Sequence, residues 1–259
     1  MSDVSAKAWL ATSTGLVMEG RSCGAEGTAS GEITFNTSMS GYQEIMTNPG
    51  AAGQVLVFTM PEVGIYGVNA LDVTTPGVKA AAVVARAICD LPSNWTCEGS
   101  VSDYLKAEGV VAIDGLDTRM LTQHIRDEGV AGTHVTAIVT TEDLGEAALV
   151  EAAKAVSATA TYIEAEALAA ELGATLTRMP VGNRASNIPV KDLRTGKLCI
   201  TSQHHGYAID FEGVEGVEVT HVNLNDGTVE GFAVPSKGIE ATLFASLELR
   251  ELNPAVAQK

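Results

Sequence analysis

The chain has 259 residues, 46% hydrophobic and 19% charged, a balance that excludes an intrinsically disordered protein and leaves room for two ordinary domains. Its 32 acidic against 16 basic residues give a formal charge of −16, which argues against any nucleic-acid partner. The four cysteines, Cys23, Cys89, Cys97 and Cys199, are scattered, lack metal-ligand spacing and are too few for a disulfide framework. No apolar run reaches membrane-spanning length, and the first residues lack a basic segment followed by an apolar one. The expectation is a cytoplasmic globular protein with no membrane partner.

In chain order, residues 7–10 and 16–19 flank a Thr-Ser-Thr-Gly turn and predict a β-hairpin. Residues 29–37 alternate apolar and polar and predict a strand. Ser40 is placed to N-cap a short helix ending near Asn48 and Pro49. A buried strand over 54–59, a long loop over 60–76 and a strand over 80–88 follow. A helix over 102–108 stops at Gly109, and residues 110–113 predict a strand. Asp117 caps a helix over 118–128 with Gly129 as its stop, and a strand over 133–139 closes an α+β domain over 1–140.

Alanine content predicts a helix over 141–156, and the small residues 157–161 a linker. A helix over 162–172 ends at Gly173, and a strand starts at Leu176. The Asn, Ser and Pro of residues 180–189 predict a loop, and Arg194-Thr195-Gly196 a tight turn. Residues 197–203 alternate, with Leu198, Ile200 and Ser202 on one face and Cys199 and Thr201 on the other. Further strands are expected over 207–210, 217–223, 228–232 and 239–244.

Few residues here suggest chemistry. Cys199 lies near His204 and His205, but mid-strand, with no helix terminus or cation to lower its pKa, and reads as structural. Adjacent histidines on a strand point to opposite faces, so no metal or cofactor is assigned to them. Asp117-Thr118-Arg119 reads as a helix cap.

The stretches NIPVKDLRTGK (187–197), TSQHHGYAID (201–210) and THVNLNDGTVEG (220–231) occur in order, after GEITFNTSMSGYQEIMTNP (31–49), YGVN (66–69), SNW (93–95), DYLK (103–106) and GLDTRMLTQHIRDEG (115–129). Together they resemble the small subunit of carbamoyl phosphate synthetase, a class I glutamine amidotransferase. The resemblance implies a swivelling β/β/α domain over 1–140, a helix and linker over 141–161, and an amidotransferase-like domain over 162–259. It also implies an ATP-using large subunit as partner, in carbamoyl phosphate supply for arginine and pyrimidine synthesis.

Against that family the chain is internally short by on the order of a hundred residues, the size of a small domain. The family's nucleophile sits on a G-x-C-x-G elbow, where the helix N-terminus lowers the thiol pKa. Counting back from Gly173-Ala174 puts that position at or near Tyr162, and no cysteine elbow occurs in the chain. The triad histidine and glutamate have no counterpart in residues 233–249, since His221 is the last histidine. No catalytic residue is therefore assigned. The glutamine-contact positions fall at Gly50, His204, Gly206 and Tyr207, where Gly206 and Tyr207 could keep a backbone cradle.

The parallel strands of the family domain need crossover helices that the missing segment would carry. A mostly antiparallel sheet is the expectation, giving an α+β fold overall. The function expected is a non-catalytic small-subunit relative, with a self-assembling structural protein as the alternative. In both cases an incomplete sheet predicts a chain that is not a stable monomer and meets a large subunit or a second copy.

Overall fold

The computed structural model of the chain describes residues 6–157 and 162–246. Two compact units divide it, residues 1–161 and 162–259. Among the described residues no helix is long and apolar enough to cross a membrane.

The first unit is built on a closed seven-stranded barrel. Its strands are β1 (Lys7–Thr12), β2 (Val17–Ser22), β3 (Thr28–Asn36), β4 (Gln54–Phe58), β5 (Ala82–Val84), β6 (Val111–Asp114) and β7 (Thr136–Thr140), in the order β1-β2-β6-β5-β4-β3-β7. The run β3-β4-β5-β6 is parallel and the remaining pairs are antiparallel. The parallel strands need crossovers. Helix α1 (Tyr42–Met46) lies between β3 and β4, and α2 (Val101–Ala107) between β5 and β6.

Strand β4, QVLVF, is buried throughout, as a central parallel strand must be. Its period of two sends Val55 and Val57 into one cluster with Leu10, Ile33 and Ile113, and Leu56 and Phe58 into another with Tyr42, Met46 and Leu105. Helix α3 (Thr118–Val130) joins β6 to β7, and its cap is the expected one, with Asp117 Oδ1 accepting the Met120 N–H at 2.9 Å. Helix α4 (Glu146–Lys154) packs Leu149 and Ala153 against Ala11 and Ile138.

Several boundaries differ from the sequence reading. Gly41, with φ 76°, caps α1, and Ser40 does not. Helix α3 runs through Gly129, which is buried on the same face as Leu121 and Ile125. The expected strand over 80–88 shrinks to three residues, and the helix over 141–156 to nine, because Gly145 sets its start at φ 76°. Residues 158–161 of the expected linker lie outside the described residues.

The second unit is a six-stranded, wholly antiparallel sheet of order β12-β11-β10-β8-β9-β13. Its elements are helix α5 (Glu164–Glu171), β8 (Thr175–Asp192), β9 (Leu198–Asp210), β10 (Glu218–Asn223), β11 (Val229–Val234), β12 (Ile239–Thr242) and β13 (Phe244–Ser246), with α5 packed on β8 and β9. Its core holds Ala165, Ala169, Ile209, Phe232 and Leu243.

The antiparallel expectation holds. The loop expected over 180–189 does not form, since these residues are part of one 18-residue strand. Likewise 197–203 and 207–210 are one strand, running through His204-His205-Gly206. Turn propensity is overridden by the partner strand, and the polar residues are absorbed at register shifts between Arg178 and Asn183 and between Ala185 and Ile188.

Close backbone approach yields one prediction. A Cβ on Gly31 would run into the Gly53 carbonyl oxygen beside the parallel β3–β4 pair. Gly31→Ala should destabilise the first unit by about 1–3 kcal/mol, the usual cost of overpacking, seen as a lowered melting temperature by circular dichroism. An unchanged melt would show that this approach is not tight.

Candidate functional site

The site is assembled in the second unit where α5 meets β9 and β11. Glu166 stands three residues after Ile163, the spacing at which a side chain reaches back over a helix start. Its Oε2 accepts the Ile163 N–H at 2.9 Å, and Ile163 offers no polar side chain to reciprocate. Its Oε1 accepts the Tyr207 N–H at 3.0 Å and stands 3.7 Å from His205 Nδ1. On the far side of the ring, His205 Nε2 is 3.3 Å from Glu230 Oε2 and 3.2 Å from Gln203 Oε1. Glu230 Oε1 accepts from Thr228 Oγ1 at 2.9 Å and Asn223 Nδ2 at 3.3 Å. The Glu166, His205 and Glu230 side chains are fully buried.

Hydrogen-bond chemistry sets the charge on this ring. Nδ1 faces the Glu166 carboxylate and, at 3.3 Å, the Tyr207 carbonyl; Nε2 faces the Glu230 carboxylate and Gln203 Oε1. Every one of these is an acceptor, so the form that satisfies the site is the imidazolium, with both nitrogens donating. Burial opposes that charge, but the two carboxylates outweigh it and push His205 up to about 9. His204 goes the other way. Burial, then the nearby Arg184 and His205 charges, hold it well below the usual histidine range.

The positions singled out in the sequence fall as follows. The Tyr162 ring packs against the Tyr207 ring, with centroids 4.7 Å apart at 58°. Gly206 lies under the Arg184 guanidinium, where a Cβ would come within 3.0 Å of Nη2. Gly50 belongs to the first unit, in a 3-10 turn (Pro49–Ala51), with its N–H on Asn48 Oδ1 at 2.8 Å. Cys199 sits half-buried, its Sγ 3.7 Å from the Val190 carbonyl. Tyr162 and Tyr207 are thus brought together, and Glu166 joins them to His205. Among the described residues no group of three His, Cys, Asp or Glu side chains is arranged to hold a metal.

The sequence reading missed Glu166 and Glu230, and weighed His205 as a partner for Cys199 and as a metal ligand. The capping spacing at Glu166 was the available signal. For Glu230, only its place in a strand between Thr228 and two buried residues marked it.

Residues 10–135 match the family described as carbamoyl-phosphate synthase small chain, CPSase domain, and residues 165–244 match glutamine amidotransferase class-I. The carbamoyl phosphate synthase small chain of Nitratidesulfovibrio vulgaris (Hildenborough) is 30% identical, with 91% of this chain and 92% of that protein covered. The chain belongs to the carbamoyl phosphate synthase small-chain family. The small chain of Symbiobacterium thermophilum is 32% identical over 85% of this chain and 87% of its own. That of Thermotoga maritima is 30% identical over 88% and 90%. The alignment to the N. vulgaris small chain spans 347 positions against the 259 residues of this chain, so at least 88 of those positions have no residue here.

The buried cluster makes the second unit pH-sensitive, and the sign follows from His205. Its folded pKa of about 9 lies above the ordinary value of 6.5. The stability it contributes is therefore complete below about pH 6.5 and is lost as pH rises through about 9. The melting temperature of the second unit should fall across that window, and His205→Gln should abolish the fall. A variant that keeps the wild-type slope would exclude the cluster as its source. Removing one partner of a buried ionic group costs about 3–5 kcal/mol, so Glu230→Ala should visibly lower the same transition.

Proposed function

We propose that this chain is a non-catalytic small-chain relative that docks on, and tunes, an ATP-using large subunit in carbamoyl phosphate supply. In this reading residues 1–140 form the swivelling docking domain, 141–161 a helix and linker, and 162–259 a truncated amidotransferase-like domain. The observation that carries it is the packing of Tyr162 on Tyr207 together with the hydrogen bond from the Tyr207 N–H to Glu166. Tyr162 stands at the position to which the resemblance assigns the nucleophile, and its ring packs on the ring of Tyr207. The Tyr207 N–H, a donor of the expected glutamine cradle, is already bound by the Glu166 carboxylate. A phenol pressed on a second ring is no substitute for a thiolate at a helix terminus, and a cradle filled by the protein's own carboxylate has no donor left there for substrate.

A homo-oligomer is the second reading. It is favoured by Leu198 and Ile200, 65% and 50% exposed on one face of β9.

The test is direct. The purified chain should release no more glutamate from glutamine than its Cys199→Ser variant does. It should co-purify with a carbamoyl phosphate synthase large subunit and alter that subunit's use of free ammonia. Glutamate release above the control would overturn the non-catalytic reading, and failure to bind the large subunit would overturn the docking reading. Light scattering on the lone chain tests self-association, with a clean monomer excluding it.

A further inference from the structure

Two loops of the first unit, residues 60–72 and 88–99, are laced together. The Cys89 N–H donates to the Val63 carbonyl at 2.8 Å, the Ser93 N–H to the Ile65 carbonyl at 3.0 Å, and the Val68 N–H to the Gly99 carbonyl at 3.0 Å. Val63, Val68 and Ile88 are buried beneath them, in the cluster that includes Tyr42 and Phe58. Tyr66 stacks on Tyr42 with centroids 4.4 Å apart. The loop pair is therefore braced from below. The stretches YGVN and SNW, which carry part of the family likeness, form its two arms.

From this braced base four apolar side chains project into water. Trp95 is 95% exposed, Leu91 87%, Leu71 85% and Ile65 53%. Trp95 sits in a turn closed by the Cys97 N–H on the Asn94 carbonyl at 3.2 Å. Single exposed apolar residues are ordinary on a soluble protein, but four on one hydrogen-bonded loop pair, led by an indole almost wholly in solvent, form a patch. Tryptophan is the side chain most enriched among residues that dominate binding energy, and a rigid platform lowers the entropy cost of using it.

Charge selects the partner. Neither loop contains a Lys or Arg, and together they hold four carboxylates, Glu62, Asp72, Asp90 and Glu98. Asp90 is engaged by Arg21 and Asp72 by the Asn69 side chain. Glu62 and Glu98 stay exposed beside the apolar ridge.

We propose that Ile65, Leu91 and Trp95 form the docking anchor of this chain. The partner is a protein offering an apolar pocket edged by Lys and Arg, with Trp95 as the central plug. This rests on the docking reading above, which makes the large subunit that partner. Apolar burial supplies the affinity, and Glu62 and Glu98 speed and orient the encounter.

The test titrates purified large subunit against the full chain, a Trp95→Ala/Leu91→Ala variant and a Glu62→Lys/Glu98→Lys variant. The apolar variant should bind about tenfold or more weakly, and the charge-reversed one should associate more slowly with a flatter salt dependence. Both should melt as wild type does, because the altered side chains lie in water. If the wild-type chain binds and both variants bind equally well, the ridge is overturned while the docking reading stands. If the wild-type chain does not bind, the docking reading fails and takes the ridge with it. If the apolar variant only breaks up a homo-oligomer and leaves large-subunit binding intact, the ridge is a self-interface and the proposal is overturned.

Discussion

The second unit depends on where the Glu166 carboxylate goes. One oxygen holds the start of α5 through the Ile163 amide, and the other holds β9 through the Tyr207 amide. The same group faces His205, whose far side meets Glu230 on β11. Helix α5 and strands β9 and β11 are thus joined by one chain of charges with no solvent access. Such a cluster is a demanding way to build a core, since desolvation costs several kcal/mol per ion and only complete pairing recovers it. Of the four carboxylate oxygens around the imidazolium, three accept further hydrogen bonds, and Glu230 Oε2 faces only His205. Loss of any member costs about 3–5 kcal/mol, a large share of the ~5–15 kcal/mol that holds a typical domain folded.

The elements that were legible in the sequence are those whose signal is local. The hairpin β1–β2, the buried β4 and the Asp117 cap each follow from period or capping chemistry within a few residues. The alternation over Leu198 to Gln203 also held, with Leu198, Ile200 and Ser202 exposed and Thr201 and Gln203 buried. The errors came where distant residues decide. Asn183 to Pro189 has turn composition, yet it lies in a strand because β9 pairs with it on both sides of a register shift between Ala185 and Ile188. Closure of the barrel was not legible at all, because it depends on β7 returning to pair with both β1 and β3. The site was half legible. Tyr162, Gly206 and Tyr207 were singled out through the resemblance, whereas Glu166 and Glu230 acquire meaning only once helix and sheet are packed around His205.

The missing positions raise a physical question about the sheet. Parallel strands buried on both faces cannot lose their crossover helices and stay paired. The strands kept here escape that constraint because each finds an antiparallel neighbour. The longest pair, β8 and β9, are joined by the short turn at Arg194-Thr195-Gly196, where the Gly196 N–H donates to the Asp192 carbonyl at 2.8 Å. An antiparallel hairpin carries its own connection and needs nothing from the absent half.

The expectation that an incomplete sheet must be covered by a second chain rested on an open edge and on apolar faces stripped of helices, and among the described residues the edge strands are short. The sheet ends in β12, four residues long, and β13, three residues long. Edge strands of that length offer little template for another chain. The edge argument for association is therefore weak, and any pressure to associate shifts to the face of β9 that exposes Leu198 and Ile200. A face contact is governed by apolar area, whereas an edge contact is governed by open backbone hydrogen bonds. Association through this unit should accordingly weaken when Leu198 and Ile200 are made polar, and persist when Pro is placed in β12 or β13.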